Sequence, residues 1–200
     1  MIINIAGTSG SGKSHLIRAF MTWAKEQGGK INPLTEELRK LPSGYDVTFK
    51  KRKPIHIIGP YEKADTAGCD VLRNIEVAYS YIHDAYDAGK DVIFEGLFMM
   101  NMTRGPQMVE KYDHMYIIHF TDPLATCIAS INSRREARGE GPLLKKENTV
   151  GNFKRANNYA DRMAAAGASV IKTKRDKALG LLVGTLGFDI KHDRIGNHGI

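Results

Sequence analysis

The sequence has no long apolar segment and only two cysteines. No apolar run approaches the roughly 18 residues that a membrane-spanning helix requires, so we expect no membrane contact. Cys69 and Cys127 are isolated in sequence and fit neither a disulfide framework nor a zinc site. We therefore expect two reduced thiols in a cytoplasmic protein. The short apolar start at 2–6 runs directly into glycines, which predicts a strand and not a signal peptide.

Acidic residues are outnumbered, and the excess of positive charge is confined to two segments. The net charge is +7, with a pI of about 9.4. Residues 30–56 and residues 132–155 each carry seven Lys and Arg against three Asp and Glu, while the rest of the chain has a net charge of −1. Such clustering is typical of a site for an anionic ligand. Charge alone does not separate the phosphates of a nucleotide from a polyanionic substrate.

Apolar segments of strand length alternate with segments of helical periodicity. Strand and helix in alternation predict an α/β fold of three layers, with helices on both faces of a five-stranded parallel sheet. The length suits one domain, which we place at 1–187, followed by a polar tail at 188–200. The five predicted strands are 2–6, 55–58, 91–94, 115–120 and 169–172.

Several helix ends can be predicted from capping residues. The helix after the second predicted strand has the clearest period, and Asp70 is placed to cap its start and Gly89 its end. Asp122 and Pro123 predict the start of another helix, which we expect to run to about Arg138. Residues 33–42 are polar and irregular, with at most a short helix, and we expect a small strand at 47–49.

One glycine-rich segment matches the phosphate-binding pattern G-x-x-x-x-G-K-[ST] in full, with a predicted strand before it and a helix after it. Its glycines let backbone N–H groups turn towards phosphate oxygens, and the following helix directs its positive end to the same anion. Lys13 would neutralise the β and γ phosphates, and the Ser14 hydroxyl would bind Mg²⁺. We therefore predict ATP and Mg²⁺ as cofactors. The segment consists of Gly7, Thr8, Ser9, Gly10, Ser11, Gly12, Lys13 and Ser14.

A cluster of arginines favours a kinase over other nucleotide-binding proteins. Kinases cover the transferred phosphate with cationic side chains. Arg134 and Arg138 are four residues apart, which predicts that they share one helical face, and a basic loop with glycines follows them. We predict an arginine-containing lid at about 132–150. The alternative is a solvated helix end whose cations complement the helix dipole.

Three carboxylates are candidates for the acceptor side of the site, because ligands of open α/β folds bind at the carboxyl edge of the sheet. Glu95 ends the predicted strand DVIFE and could reach Mg²⁺ through water or act as the base. Asp65 could accept the proton of the acceptor. Asp70 could do the same but competes with its predicted capping role. Each of the three can also be an ordinary loop or strand-end residue.

Four segments together resemble a known family. They are GTSGSGKS, IIGPYEKADTAGCD, VIFEG and DPLATCIASINSRREARG, and they are similar to bacteriophage-encoded P-loop kinases related to the thymidylate-kinase-like enzymes. The resemblance covers roughly residues 1–175. It implies phosphorylation of 5-hydroxymethyluracil bases in phage DNA, a step towards hypermodified thymidines, in the cytoplasm of the host cell.

The resemblance also implies roles for individual residues. Lys13 and Ser14 would hold ATP and Mg²⁺, while Arg134 and Arg138 would stabilise the transferring phosphoryl group. One of the three carboxylates Asp65, Asp70 and Glu95 would orient the hydroxymethyl oxygen.

The DNA acceptor has one independent support in the sequence, the basic run of Lys50, Lys51, Arg52 and Lys53. We expect this run to help hold DNA that carries a hydroxymethylated pyrimidine. The competing interpretation is an exposed strand edge on which lysines prevent strand pairing. Two other functions remain open, a kinase of a free nucleoside or nucleotide and an ATPase or switch without an acceptor. Whether the target base leaves the duplex is also open.

Overall fold

The fold is taken from a computed structural model, which describes residues 1–37, 39–62, 67–72, 74–142 and 146–189. Strands and helices alternate along these residues, as the sequence predicts. The strands are β1 (Ile2–Ala6), β2 (Lys30–Leu34), β3 (Gly44–Thr48), β4 (Ile55–Ile58), β5 (Asp91–Glu95), β6 (Met115–Phe120) and β7 (Ser169–Thr173). The α-helices are α1 (Lys13–Glu26), α2 (Ile75–Asp87), α3 (Arg104–Lys111), α4 (Leu124–Glu136), α5 (Lys146–Ala165) and α6 (Arg175–Thr185), with one 3₁₀ turn at Cys69–Val71.

The strands form one mixed sheet in the order β2-β3-β4-β5-β1-β6-β7. All five predicted strands are present, and β4, β5, β1, β6 and β7 pair in parallel. The expected count of five is wrong, because β2 and β3 add an antiparallel hairpin beside β4. β2 contains Pro33 and is mostly exposed, so it lacks the buried apolar pattern that marks a strand in sequence. Proline is tolerated there because β2 lies at the edge of the sheet.

The two faces of the sheet carry separate hydrophobic cores. Side chains alternate along β1, so that Ile3 and Ile5 pack with α1 and α6 while Ile2 and Ala6 pack with α2, α3 and α5. All five residues of β1 are buried, as expected for a central strand covered on both sides. The result is the predicted arrangement of a sheet between two helical layers.

Two predictions of helix ends need correction. Asn74 caps α2, since its side chain accepts a hydrogen bond from the N–H of Val77 at 2.9 Å, and Asp70 lies earlier in the 3₁₀ turn. α4 ends at Glu136, so Arg138 lies in the following turn and does not share a helical face with Arg134. Helix α2 begins four residues later than predicted, because Asn74 and not Asp70 caps it. Helix α4 ends two residues earlier than predicted, because the chain turns before Gly139.

Cys69 and Cys127 are both buried, unbonded thiols. Among the helices of the described residues, none combines the length and apolarity needed to cross a bilayer.

Candidate active site

The glycine-rich segment 7–14 connects β1 to α1 at the carboxyl edge of the parallel strands. Gly10 has φ +76°, and a Cβ atom at this position would lie 2.2 Å from the carbonyl oxygen of Cys127. Only glycine fits here, because both the left-handed backbone and the close approach of α4 exclude a side chain. Gly12 precedes the first residue of α1 and has no side chain to cap it. The first N–H groups of α1 are thus available to an anion.

Lys13 is buried in the curve of this loop. Its ammonium group donates hydrogen bonds to the carbonyl oxygens of Gly7 and Thr8, at 3.0 and 3.1 Å, and the residue is only 8% exposed. The positive charge therefore lies within the curve of the glycine-rich loop. Its contact with phosphate stays a prediction.

Ser14 and Glu95 form the centre of the site. The Ser14 hydroxyl donates to Oε1 of Glu95 at 2.7 Å, across 81 positions of sequence. The contact is possible because β1 and β5 are neighbours, with Ile5 paired to Glu95. Glu95 is 2% exposed, and burial raises the pKa of its carboxyl group above the ordinary value. The positive charge of Lys13 and the hydrogen bond from Ser14 oppose this rise.

The segment before α2 passes directly against this carboxylate. Gly68 has φ +78°, and a Cβ atom there would lie 2.4 Å from Oε1 of Glu95. Gly68 also donates its N–H to the carbonyl oxygen of Pro60 at 3.1 Å. The two described ends of the loop that follows β4 are thus tied together next to Glu95. Asp65 belongs to the part of this loop that lies outside the described residues.

Asp70 has a positioning role that the sequence did not indicate. Its Oδ2 accepts the N–H of Leu97 at 2.7 Å, and its Oδ1 accepts the N–H of Phe98 at 3.0 Å. Both oxygens are therefore engaged by the backbone that leaves β5. Burial is the main cause of the raised pKa of Glu95, and the negative charge of Asp70 raises that pKa further.

The predicted lid arginines lie on the exposed end of α4 and beyond it. Nε of Arg134 donates to the carbonyl oxygen of Ser130 at 3.4 Å. Arg138 pairs with Glu140 at 2.8 Å, and Arg135 pairs with the same carboxylate at 2.9 Å. The basic segment is thus partly neutralised by its own glutamate. The role of these arginines in phosphoryl transfer stays a prediction.

Two further arginines at the site were missed in the sequence. Arg175, the first residue of α6, donates to the carbonyl oxygen of Gly10 and, at 2.7 Å, to the hydroxyl of Ser130. It thereby fixes the glycine-rich loop against α4. Its place directly after the fifth parallel strand, at the carboxyl edge, was the available signal.

Arg18 is the other missed residue. It follows Ser14 by one turn of α1, and its positive charge opposes the raised pKa of Glu95. One terminal nitrogen of Arg18 is buried and has no hydrogen-bond partner among the described residues. Its spacing of four from Ser14 could have identified it, because residues four apart share a helical face.

The basic run 50–53 lies at the opposite edge of the sheet, before the amino end of β4. Arg52 donates to the carbonyl oxygens of Leu186 and Gly187, at 3.0 and 2.8 Å, and covers the ring of Phe188 at 3.7 Å. Lys53 pairs with Asp91 at 2.9 Å, at the amino end of β5. Strands of four or five residues separate this edge from the glycine-rich loop by about 13–17 Å.

Comparison with known proteins gives one curated relative. The chain is 31% identical over 179 residues to the 5-hmdU DNA kinase of Pseudomonas phage PaMx11, and the match covers 88% of the chain and 92% of the relative. No family model matches the sequence.

Proposed function

The chain belongs to the family of the phage 5-hmdU DNA kinase, and we propose from that premise how its site works. It is a kinase that acts on 5-hydroxymethyluracil in phage DNA. The hydroxymethyl oxygen attacks the γ phosphorus of ATP, the bond from that phosphorus to the β–γ bridging oxygen breaks, and ADP leaves. The hydroxyl proton passes to a base, and the DNA keeps a phosphomethyl group. The observation in the structure that supports the nucleotide side of this reaction is the contact of Ser14 and Glu95 beside the glycine-rich loop. The acceptor rests on the similarity to the phage kinase.

The donor side of the reaction rests on segment 7–14. Its backbone N–H groups and the start of α1 would hold the β and γ phosphates, and Lys13 would balance the charge that develops as the phosphoryl group moves. Arg175 keeps the loop in place through its bond to the carbonyl oxygen of Gly10.

The residues around Ser14 fit a magnesium ion. Mg²⁺ prefers oxygen ligands, keeps several waters and needs only one or two protein groups beside the phosphates. A hydroxyl and a buried carboxylate 2.7 Å apart supply such groups. Within the described ranges no cluster of three acidic, His or Cys side chains is found, which suits this ion. We propose that Ser14 would hold it directly and Glu95 through water. When bound, Mg²⁺ would neutralise charge on the β and γ phosphates.

The three candidate carboxylates separate into different roles in this proposal. Asp70 is a positioning residue, because both of its oxygens accept backbone N–H groups. Glu95 contacts Ser14 and therefore belongs to the nucleotide side. Asp65 is proposed as the base for the hydroxymethyl group, since the described ends of its loop close beside Glu95.

Arg134 and Arg138 complete the proposed site as the lid. Arg134 contacts Ser130, which binds Arg175, and Arg175 in turn contacts the glycine-rich loop. A cation above the transferred phosphate stabilises the charge of the transition state. The pairing of Arg138 with Glu140 would have to open or shift for Arg138 to act in this way.

Transfer of labelled γ-phosphate tests the function. Wild-type protein and Lys13→Ala are incubated with labelled ATP and three acceptors: DNA containing 5-hydroxymethyluracil, unmodified DNA and the free hydroxymethylated nucleotide. We expect label in the modified DNA only, and none with the variant. Label mainly in the free nucleotide would instead indicate a small-molecule kinase, and label only in inorganic phosphate would indicate an ATPase.

A further inference from the structure

Phe98 is the one large hydrophobic side chain of the described residues that is strongly exposed, at 60%. It lies three positions after Glu95, in the connection between β5 and α3 at the carboxyl edge of the sheet. The backbone around it is fixed on both sides. The N–H of Phe98 is held by Asp70, and the next two residues, Met99 and Met100, are buried in the core.

Two exposed arginines from α5 support the same segment. Nε of Arg155 donates to the carbonyl oxygen of Met100 at 3.2 Å, and Nε of Arg162 donates to that of Met102 at 2.6 Å. The two arginines are seven positions apart, so they occupy one face of the helix. Phe98 and the two arginines are thus attached to one short segment. An exposed aromatic ring and guanidinium groups are the side chains that stack on nucleic-acid bases and contact their phosphates.

The burial of the groups at the reaction centre bears on how a base in DNA could reach them. Lys13 and Glu95 are 8% and 2% exposed, so the two groups that would face the γ phosphate lie below the protein surface. We take the acceptor oxygen to reach them in a recess. A base that stays stacked in the duplex would hold its hydroxymethyl group outside such a recess. Enzymes with recessed sites turn the target base out of the stack. The gap left in the duplex is commonly stabilised by an inserted apolar side chain.

We propose that segment 97–102 is the DNA-binding platform of this protein, with Phe98 stacking in the space that the target base leaves and Arg155 and Arg162 contacting the flanking phosphates. The inference rests on the proposed function and names residues for its substrate side. It also places the DNA contact at the same edge of the sheet as Ser14 and Glu95, and away from the basic run 50–53.

The first test compares Phe98→Ala with Phe98→Trp. On duplex DNA with one 5-hydroxymethyluracil, Phe98→Ala should lower kcat/KM about ten- to a hundredfold, in keeping with the loss of one base-stacking contact. Phe98→Trp should keep activity, and its fluorescence should fall on DNA binding. The native chain has one tryptophan, the buried Trp23, which gives a constant background. The defect of Phe98→Ala should shrink when the target base is mismatched, because a mismatched base is turned out more readily.

The second test uses the salt dependence of DNA binding. Arg155→Gln and Arg162→Gln should each lower the log–log slope by about 0.9, the value for one lost phosphate contact. Lys177→Gln is the matched control, because it removes an exposed charge from α6 on the other face of the sheet. Its slope should equal that of the wild type.

Both tests begin with the wild type on modified DNA. If the wild type transfers no label to DNA, the proposed function itself fails. If it does and Phe98→Ala matches it on duplex DNA with an unchanged melting temperature, the platform is overturned. Unchanged salt slopes in both arginine variants would equally overturn it, and would leave the exposed segment to a protein partner.

Discussion

The ionised form of Glu95 lowers the stability of the fold, whereas the proposed reaction needs it. Burial raises the pKa of its carboxyl group, which means that the folded protein holds the ionised form less readily than the unfolded chain does. The stability of the fold therefore falls as pH rises from the unfolded pKa of about 4.3 through the raised folded value, and the loss is complete above that value. The ionised form of Glu95 therefore does not stabilise the fold.

Glu95→Gln is expected to raise the melting temperature at neutral pH and to abolish phosphoryl transfer. The amide is neutral and can still accept the hydrogen bond of Ser14. Each kcal/mol gained corresponds to about 2–4 °C in a domain of this size. The advantage over the wild type should vanish below about pH 4, where both side chains are neutral. A melting temperature below that of the wild type at pH 7 would contradict this explanation.

Lys13 is predicted to be necessary for transfer and dispensable for the fold. Lys13→Ala should lower kcat by on the order of 10³-fold or more, because the transition state loses a charge next to the transferred phosphate. Circular dichroism should be unchanged. Lys25→Ala is the control, since Lys25 lies exposed in the last turn of the same helix. Near-normal activity in a folded Lys13→Ala variant would refute the assignment of the loop.

At the scale of elements, α4 and α6 hold the glycine-rich loop from one side. Arg175 at the start of α6 joins the carbonyl oxygen of Gly10 to Ser130 of α4. Thr8 is linked to α5 in the same way, through a bond of 3.3 Å to the carbonyl oxygen of Thr149. A movement of α4 or α5 would therefore shift the glycine-rich loop, and a lid requires coupling of this kind.

The lid prediction concerns the end of α4. Replacing Arg134 or Arg138 with Ala should lower kcat by on the order of 10³-fold while changing the KM for ATP much less, since such cations act on transition-state charge. Steady-state kinetics on modified DNA would be measured for both variants and for Lys177→Ala as the control. An unchanged kcat in the double variant would show that these arginines are only a solvated helix end.

At the scale of the whole molecule, the sheet separates two edges with different tasks. The carboxyl edge gathers Lys13, Ser14, Glu95 and Arg175, while the amino edge is closed by ion pairs. Asp91 is the centre of the latter group and binds both the amino group of Met1 and the side chain of Lys53. Of the basic run 50–53, Arg52 and Lys53 are therefore engaged in contacts within the fold.

The basic run at 50–53 is accordingly expected to act on stability. Arg52→Gln should lower the melting temperature by about 2–4 °C, the equivalent of about 1 kcal/mol for lost charged hydrogen bonds at a partly exposed site. Lys50→Gln combined with Lys51→Gln should leave the salt slope of DNA binding unchanged. Thermal melts and binding titrations over a range of salt would be compared. A slope reduced by about two units in the double variant would instead place DNA at this edge.

The sequence by itself determined the features that depend on residues close together along the chain. The glycine-rich loop, the five parallel strands and the helices after β1, β4 and β6 follow from local backbone preferences and from the period of apolar side chains. The short helix α3 between β5 and β6 was not predicted. The strand β2 could not be predicted from such a period, since an exposed edge strand with Pro33 has none. The end of α4 at Glu136 could not be predicted either, because helix ends are the least marked part of a helical pattern.

Only the tertiary structure decided which distant residues meet. Ser14 reaches Glu95 because β1 and β5 are neighbours in the sheet, and Asp70 binds the backbone after β5 instead of capping α2. Likewise chain direction places the run 50–53 before β4, at the opposite edge of the sheet from the glycine-rich loop, and its predicted contact with DNA stays a prediction. The sequence specifies the type of each residue. Its neighbours in space depend on strand order and direction, which arise from the packing of the whole chain.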